Sequence, residues 1–69
     1  MEKRLRGLTC GHSGVITRVK KAPRLQTLGF APGAVVCCKY KSNRIMVLEI
    51  GERLIALPIF QLRGVWADY

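Results

Sequence analysis

Acidic residues are scarce in this sequence. Four Asp and Glu stand against twelve Lys and Arg, and the formal net charge is +8 at pH 7. A catalytic mechanism based on paired carboxylates is hard to build from so few scattered acids. A strongly positive charge raises encounter rates with anionic partners, which include nucleic acid, acidic protein faces and lipid headgroups. The charge does not choose among these partners.

Long apolar runs are also missing. The longest extends over residues 54–60 and contains Pro58, whereas a membrane span needs roughly 18 apolar residues. The basic start of the chain is not followed by the apolar segment of a secretion signal. We therefore expect a soluble protein. Its 69 residues make a single domain, residues 1–69, with a thin core and little room for an enclosed active site.

Cysteine and histidine are few and lack a catalytic or metal-binding spacing. The three cysteines are Cys10, Cys37 and Cys38, and the one histidine is His12. A Cys-x-His pair without a second ligand pair is a poor metal signal, and thiolates favour metals softer than ferrous iron. No residue nearby could orient His12 for nucleophilic catalysis. We expect no enzyme activity, no metal, no cofactor and a reducing, cytoplasmic location.

Short β-branched or alternating segments separated by Gly, Pro and Asn predict five strands. Residues 1–4 are polar and are expected to fray. Alternation places Tyr40 on the core face of its strand and Trp66 on the outer face. The predicted strands are 15–21, 34–41, 44–50, 53–57 and 64–68. The residues assigned to the core by alternation are Val36, Cys38, Tyr40, Val65 and Ala67, and in strand 44–50 Met46, Leu48 and Ile50 share one face.

One helix is predicted at residues 23–28, and a single helical turn at residues 58–62. Pro23 suits the first helical position. Gly29 suits the left-handed residue that follows a helix, where Phe30 would pack back on Leu25. So short a helix is not stable alone in water and must be held by burial of Leu25 and Leu28.

These elements predict an all-β fold, a small SH3-like five-stranded barrel with one or two short helical turns. A closed barrel removes strand edges that would otherwise aggregate. An OB-like barrel is the nearest competitor, but it usually needs a longer chain.

The order of these landmarks resembles the FeoA family over nearly the whole chain. The first element is Leu5-Arg6-Gly7-Leu8 followed by Gly11, Gly14 and Val15. The most specific is Arg24-Leu25-Gln26-Thr27-Leu28-Gly29-Phe30-Ala31-Pro32-Gly33. The third comprises Leu48, Ile50, Gly51, Ile55-Ala56-Leu57, Leu62, Val65 and Ala67. Leu62 stands where the family often has a small residue, and the Cys37-Cys38 pair and the strong positive charge lie outside its pattern.

The resemblance implies a cytoplasmic accessory protein of bacterial ferrous iron transport. It would bind and modulate FeoB, the ferrous iron permease, through the permease's cytosolic region. The same barrel occurs in the C-terminal domains of metal-dependent repressors, so a regulatory interaction module is an alternative. The resemblance implies no catalytic or metal-binding residue.

Basic residues cluster at 3–6, 18–24 and 39–44. We expect them to meet an acidic protein face or the anionic inner face of the cell membrane if they converge. Nucleic acid is a second alternative, although the aromatic residues form no ladder for base stacking. Weak self-association is a third. The candidate partner-binding residues are Arg24, Lys39, Lys41, Arg63 and Trp66, the last because tryptophan is enriched at binding hot spots.

Overall fold

The computed structural model describes residues 1–20 and 23–69. Within these residues, six strands form one antiparallel sheet in the order β1-β6-β2-β3-β4-β5. The strands are β1 (Glu2–Arg4), β2 (Ser13–Val19), β3 (Val35–Lys41), β4 (Ile45–Ile50), β5 (Arg53–Pro58) and β6 (Val65–Asp68). The helix α1 is Pro23–Thr27, and two 3₁₀ turns are Leu5–Gly7 and Ile59–Leu62. The predicted all-β, SH3-like fold class is confirmed.

One apolar cluster fills the inside of the curved sheet. The alternating strand positions predicted to face inward are buried, with the exception of Tyr40. Leu5 and Leu62, on the two 3₁₀ turns, have no exposed surface. The bulky Leu62 is therefore fully accommodated in the packing beside β6. The buried residues are Leu5, Leu8, Ile16, Leu25, Phe30, Val36, Cys38, Met46, Leu48, Ile50, Leu57, Leu62, Val65 and Ala67.

The predicted helix cap is confirmed in its details. The Phe30 N–H donates to the Leu25 carbonyl (3.0 Å) and the Gly29 N–H donates to the Gln26 carbonyl (3.1 Å). These two bonds are those of a Schellman motif, which requires a left-handed residue at its centre. Gly29 supplies it with φ +105°. Leu25 and Phe30 are both buried, while Leu28 is half-buried.

The N-terminus differs from the expectation of fraying. Glu2–Arg4 pairs with β6, with Glu2 opposite Asp68 and Arg4 opposite Trp66. The N-terminal ammonium also pairs with the Asp68 carboxylate. The polar residues are held by a strand more than sixty positions away, which local composition does not reveal. The fold therefore has six strands rather than five.

Tyr40 corrects the alternation assigned to β3. It is 54% exposed rather than in the core. The register between β3 and β4 shifts between Cys38 and Tyr40, and a bulge of this kind inserts one extra residue and turns the following side chains to the other face. The predicted end of the preceding strand at Lys21 lies outside the described residues.

Candidate functional site

Some residues of the three basic clusters meet at two places, while others, such as Arg24 and Lys39, lie elsewhere. One is the outer face of the sheet around Trp66. Arg4 of β1 and Arg18 of β2 are both in register with Trp66 of β6. Their guanidinium carbons lie 5.3 and 4.7 Å from the Trp66 ring. Both distances are within the range of cation–π attraction. Trp66 is therefore half-buried under two arginines.

Glu2 completes this cluster. Its carboxylate accepts hydrogen bonds from the Thr17 hydroxyl (2.6 Å) and from Nε of Arg18 (3.1 Å). The Thr17 hydrogen bond, followed by the hydrogen bond and then the charge of Arg18, holds the pKa of the Glu2 carboxyl below its ordinary value. The arrangement fixes Arg18 on the ring of Trp66.

The second place is an open groove around Phe60. Its volume is about 680 Å³, and Phe60 is 66% exposed. Three arginines and four apolar residues make up most of its wall, and no carboxylate lies among them. The lining residues are Arg6, Asn43, Arg44, Ile45, Pro58, Ile59, Phe60 and Arg63.

Short, hydrogen-bonded turns position the three arginines. Arg6 lies on the first 3₁₀ turn, and its backbone carbonyl accepts a hydrogen bond from Nζ of Lys41 (2.6 Å). Arg44 lies in the β3–β4 hairpin, and its carbonyl accepts from the N–H of Ile59 (2.8 Å). Arg63 follows the second 3₁₀ turn directly. The backbones that carry these side chains are thus tied to one another.

The acidic residues are mostly committed elsewhere. Glu2 is held by Thr17 and Arg18, Asp68 pairs with the N-terminal ammonium, and Glu49 lies 3.6 Å from Nζ of Lys39. No ion pair within residues 1–20 and 23–69 involves an arginine of the groove. The groove therefore carries uncompensated positive charge beside exposed apolar surface.

The predicted partner-binding residues fall in different parts of the fold. Arg63 lines the groove, and Lys41 holds one of its turns. Arg24 is exposed on α1, and Lys39 is exposed on β3 beside Glu49. Trp66 lies on the opposite part of the strand order, between two guanidinium groups.

Sequence reasoning missed Arg6, Arg44 and Phe60 as parts of one site. Arg6 and Arg44 each belonged to a basic cluster, but the two residues are 38 positions apart in the sequence. The one available signal was the large apolar Phe60 in the predicted helical turn, where a single turn cannot bury both Phe60 and Leu62 on the same side.

The segment that carries Cys10 and His12 lies beside Cys38, because the Cys38 N–H donates to the His12 carbonyl (2.9 Å), but the side chains differ in exposure. Cys10 is exposed and its thiol donates to the Lys39 carbonyl (3.2 Å), whereas Cys38 is buried. Burial, with a smaller contribution from Cys10, raises the pKa of the Cys38 thiol. His12 Nδ1 shares a 2.6 Å hydrogen bond with the Thr9 hydroxyl. Nowhere in the described chain do three His, Cys, Asp or Glu side chains group as metal ligands would.

Helices are short throughout the described residues, and none has the length and apolarity needed to cross a membrane.

Comparison with solved structures gives the same fold. An iron uptake regulatory protein (FeoA) superposes with a TM-score of 0.90 at 18% identity, covering 99% of this chain and 96% of that one. A manganese-dependent transcriptional repressor superposes with a TM-score of 0.85 at 12% identity. IdeR from T. acidophilum superposes with a TM-score of 0.83 at 15% identity. Each match covers 97% of this chain. This chain spans 41% and 33% of the length of those two chains. Identities this low establish the fold alone.

Sequence comparison gives the family. No curated protein sequence matches the chain significantly. The family model described as the FeoA domain matches residues 3–65, which include two of the three residues of β1, the capped helix, strands β2 to β5 and the first residue of β6. The chain belongs to the FeoA domain family.

Proposed function

We propose that this chain is a non-enzymatic accessory protein of bacterial ferrous iron uptake. It binds the cytosolic region of the ferrous iron permease FeoB and modulates transport through protein–protein contacts. The observation that carries the proposal is the FeoA domain match over residues 3–65. The proposed location is the cytoplasm, with recruitment to the inner face of the cell membrane through the permease.

The charge distribution supports a protein partner with an acidic face. The net charge of +8 speeds association with negative surfaces. Arginine forms planar, two-pronged contacts with carboxylates, so arginines without intramolecular partners are suited to such an interface. Exposed cations also contact anionic lipid headgroups, which would add to binding near the membrane.

The direct test is binding of the purified chain to the permease's cytosolic region at low and at physiological salt. We expect saturable binding that weakens with salt, because exposed charge pairs are screened. Absence of binding at both salt concentrations would refute the proposal. Weaker binding by the Arg24→Glu variant would indicate that α1 contacts the permease, and weaker binding by Lys39→Glu would indicate the same for β3.

Lys39→Glu needs a matched control because Lys39 lies 3.6 Å from Glu49. The double variant Lys39→Glu/Glu49→Lys restores both the net charge and an opposite-charge pair on β3 and β4. If the position of Lys39 matters, the double variant still binds the permease region weakly. If net charge alone matters, the double variant binds with the wild-type affinity.

A regulatory interaction domain is a second candidate, because two metal-dependent repressors contain this fold. In that case the chain would bind a regulatory protein domain and leave the permease unbound. Electrostatic binding to nucleic acid is the remaining alternative, and fluorescence anisotropy with short RNA and DNA distinguishes it. Affinity that ignores sequence and falls steeply with salt would indicate charge alone.

A further inference from the structure

We propose that the groove around Phe60 is a docking site for an acidic segment of a partner protein that carries an apolar anchor side chain. This inference rests on the proposed function in taking the partner to be a protein. It adds the location of the site and the chemistry that the site recognises.

The rim of the groove is positively charged. Arg6, Arg44 and Arg63 line it together with no acid. None of the three is in an ion pair within the described residues. Like charges around one groove repel one another, and a segment bearing carboxylates would relieve this repulsion while forming charge-assisted hydrogen bonds. The occupant is therefore expected to be acidic.

The apolar residues at the floor of the groove indicate that the partner segment carries an apolar anchor side chain. Phe60 is 66% exposed and Ile45 is 40% exposed, and both lie beside the half-buried Pro58 and Ile59. Single exposed apolar residues are ordinary on protein surfaces, but a contiguous group with a polar rim is typical of an interaction site. Burial of an apolar side chain against these residues would supply the affinity that exposed charges alone lack.

The groove is also built in advance of binding. The Ser42 hydroxyl accepts hydrogen bonds from the N–H groups of Arg44 and Ile45, each 3.2 Å. The second 3₁₀ turn is joined to the same hairpin through Ile59. Leu62 is fully buried and anchors that turn in the core. A preformed site loses less conformational entropy on binding than a flexible one.

A protein segment fits this chemistry better than nucleic acid or a membrane. Phe60 is the one aromatic residue among those lining the groove, and the rest of the floor is aliphatic. Binding of single-stranded nucleic acid typically relies on several stacked aromatic side chains. A flat bilayer surface would contact Phe60 but not the recessed Pro58 and Ile59, whereas a side chain can enter the groove.

The test uses the full chain and a fluorescein-labelled peptide with glutamates on both sides of a central leucine. Fluorescence anisotropy gives the dissociation constant. Phe60→Ala is expected to weaken binding by about 30-fold or more, the loss associated with an interface hot spot. Arg44→Glu is expected to weaken it at least as much at low salt. Both side chains are exposed, so the variants should fold, which circular dichroism verifies.

Two variants outside the groove are matched controls. Leu54 is as exposed as Phe60, at 66%, and lies in β5 opposite Glu49. Arg53→Glu changes the net charge as Arg44→Glu does. We expect Leu54→Ala and Arg53→Glu to bind with nearly wild-type affinity. A control peptide with serine in place of leucine should bind weakly to every variant.

Several results would overturn the inference. These are no saturable binding of the leucine peptide, equal binding of the serine peptide, and an equal loss in Leu54→Ala and Phe60→Ala. Phe60-dependent binding to anionic vesicles or RNA without peptide binding would also overturn it. Undiminished binding of the permease region by Phe60→Ala would reject the groove and leave the proposed function intact. Peptide binding without permease binding would reject the proposed function and retain the groove.

Discussion

Replacing Gly29 by alanine should destabilise the protein more than the same change at Gly33. Both glycines have strongly positive φ, +105° and +94°, and a residue with a side chain pays about 1–3 kcal/mol for such a conformation. A Cβ at Gly29 would also lie 3.3 Å from Cγ2 of Ile50, whereas a Cβ at Gly33 would meet nothing within 4 Å. Ile50 is only 7% exposed and has little room to move.

The difference in unfolding free energy between Gly29→Ala and Gly33→Ala measures the cost of the contact between the new Cβ and Cγ2 of Ile50. Displacing the Ile50 side chain from its rotamer costs on the order of 0.5–1.5 kcal/mol. The total for Gly29→Ala is then roughly 1.5–4.5 kcal/mol, a large part of the roughly 3–10 kcal/mol expected for a chain of this length. The melting temperature should fall by roughly 6–36 °C at about 4–8 °C per kcal/mol.

Urea unfolding followed by circular dichroism gives both free energies of unfolding. A double-mutant cycle with Ile50→Ala removes Cγ2 and should reduce the cost of Gly29→Ala to that of Gly33→Ala. Equal costs for the two single variants, or a cost of Gly29→Ala that Ile50→Ala leaves unchanged, would refute the steric part of the reasoning. A neutral Gly29→Ala would refute the backbone part as well.

Three further predictions concern packing, thiol reactivity and pH. Leu62→Ala should cost about 2–5 kcal/mol of unfolding free energy in urea titrations, because Leu62 is fully buried and its removal leaves a cavity; a loss no larger than that of an exposed leucine would contradict this. Thiol-directed labelling read by mass spectrometry should modify exposed Cys10 first and Cys38 only on unfolding, because burial both shields that thiol and raises its pKa; similar rates would show that the strand opens readily. Glu2→Gln should lower stability at neutral pH, because the Thr17 hydrogen bond holds the pKa of the Glu2 carboxyl below its ordinary 4.5 and the ionised form stabilises the fold. The difference in unfolding free energy between the variant and the wild type should disappear as pH falls below about 4.5. A difference that stays constant with pH would rule out the ionised Glu2 carboxylate as its source.

Much of the local structure is predictable from the sequence because it depends on near neighbours. The helix cap needs Leu25, Gly29 and Phe30 within six positions, and its two hydrogen bonds formed as predicted. Alternation in β6 likewise depends on adjacent residues, and it assigned Val65 and Trp66 to the correct faces.

The errors arose where a distant strand decides the outcome. The pairing of Glu2–Arg4 with β6 joins the two ends of the chain. The exposure of Tyr40 follows from a register shift against β4, and a bulge has no strong local signal unless glycine marks it.

The family, the fold class and the sign of the charge can be predicted without a structure, because they depend on composition and on the order of short motifs. The tertiary structure alone decided how the charge is distributed. It placed Arg4 and Arg18 on Trp66 and brought Arg6, Arg44 and Arg63 around Phe60. The physical reason is that sheet pairing and buried leucines, rather than proximity along the chain, set which side chains share a surface.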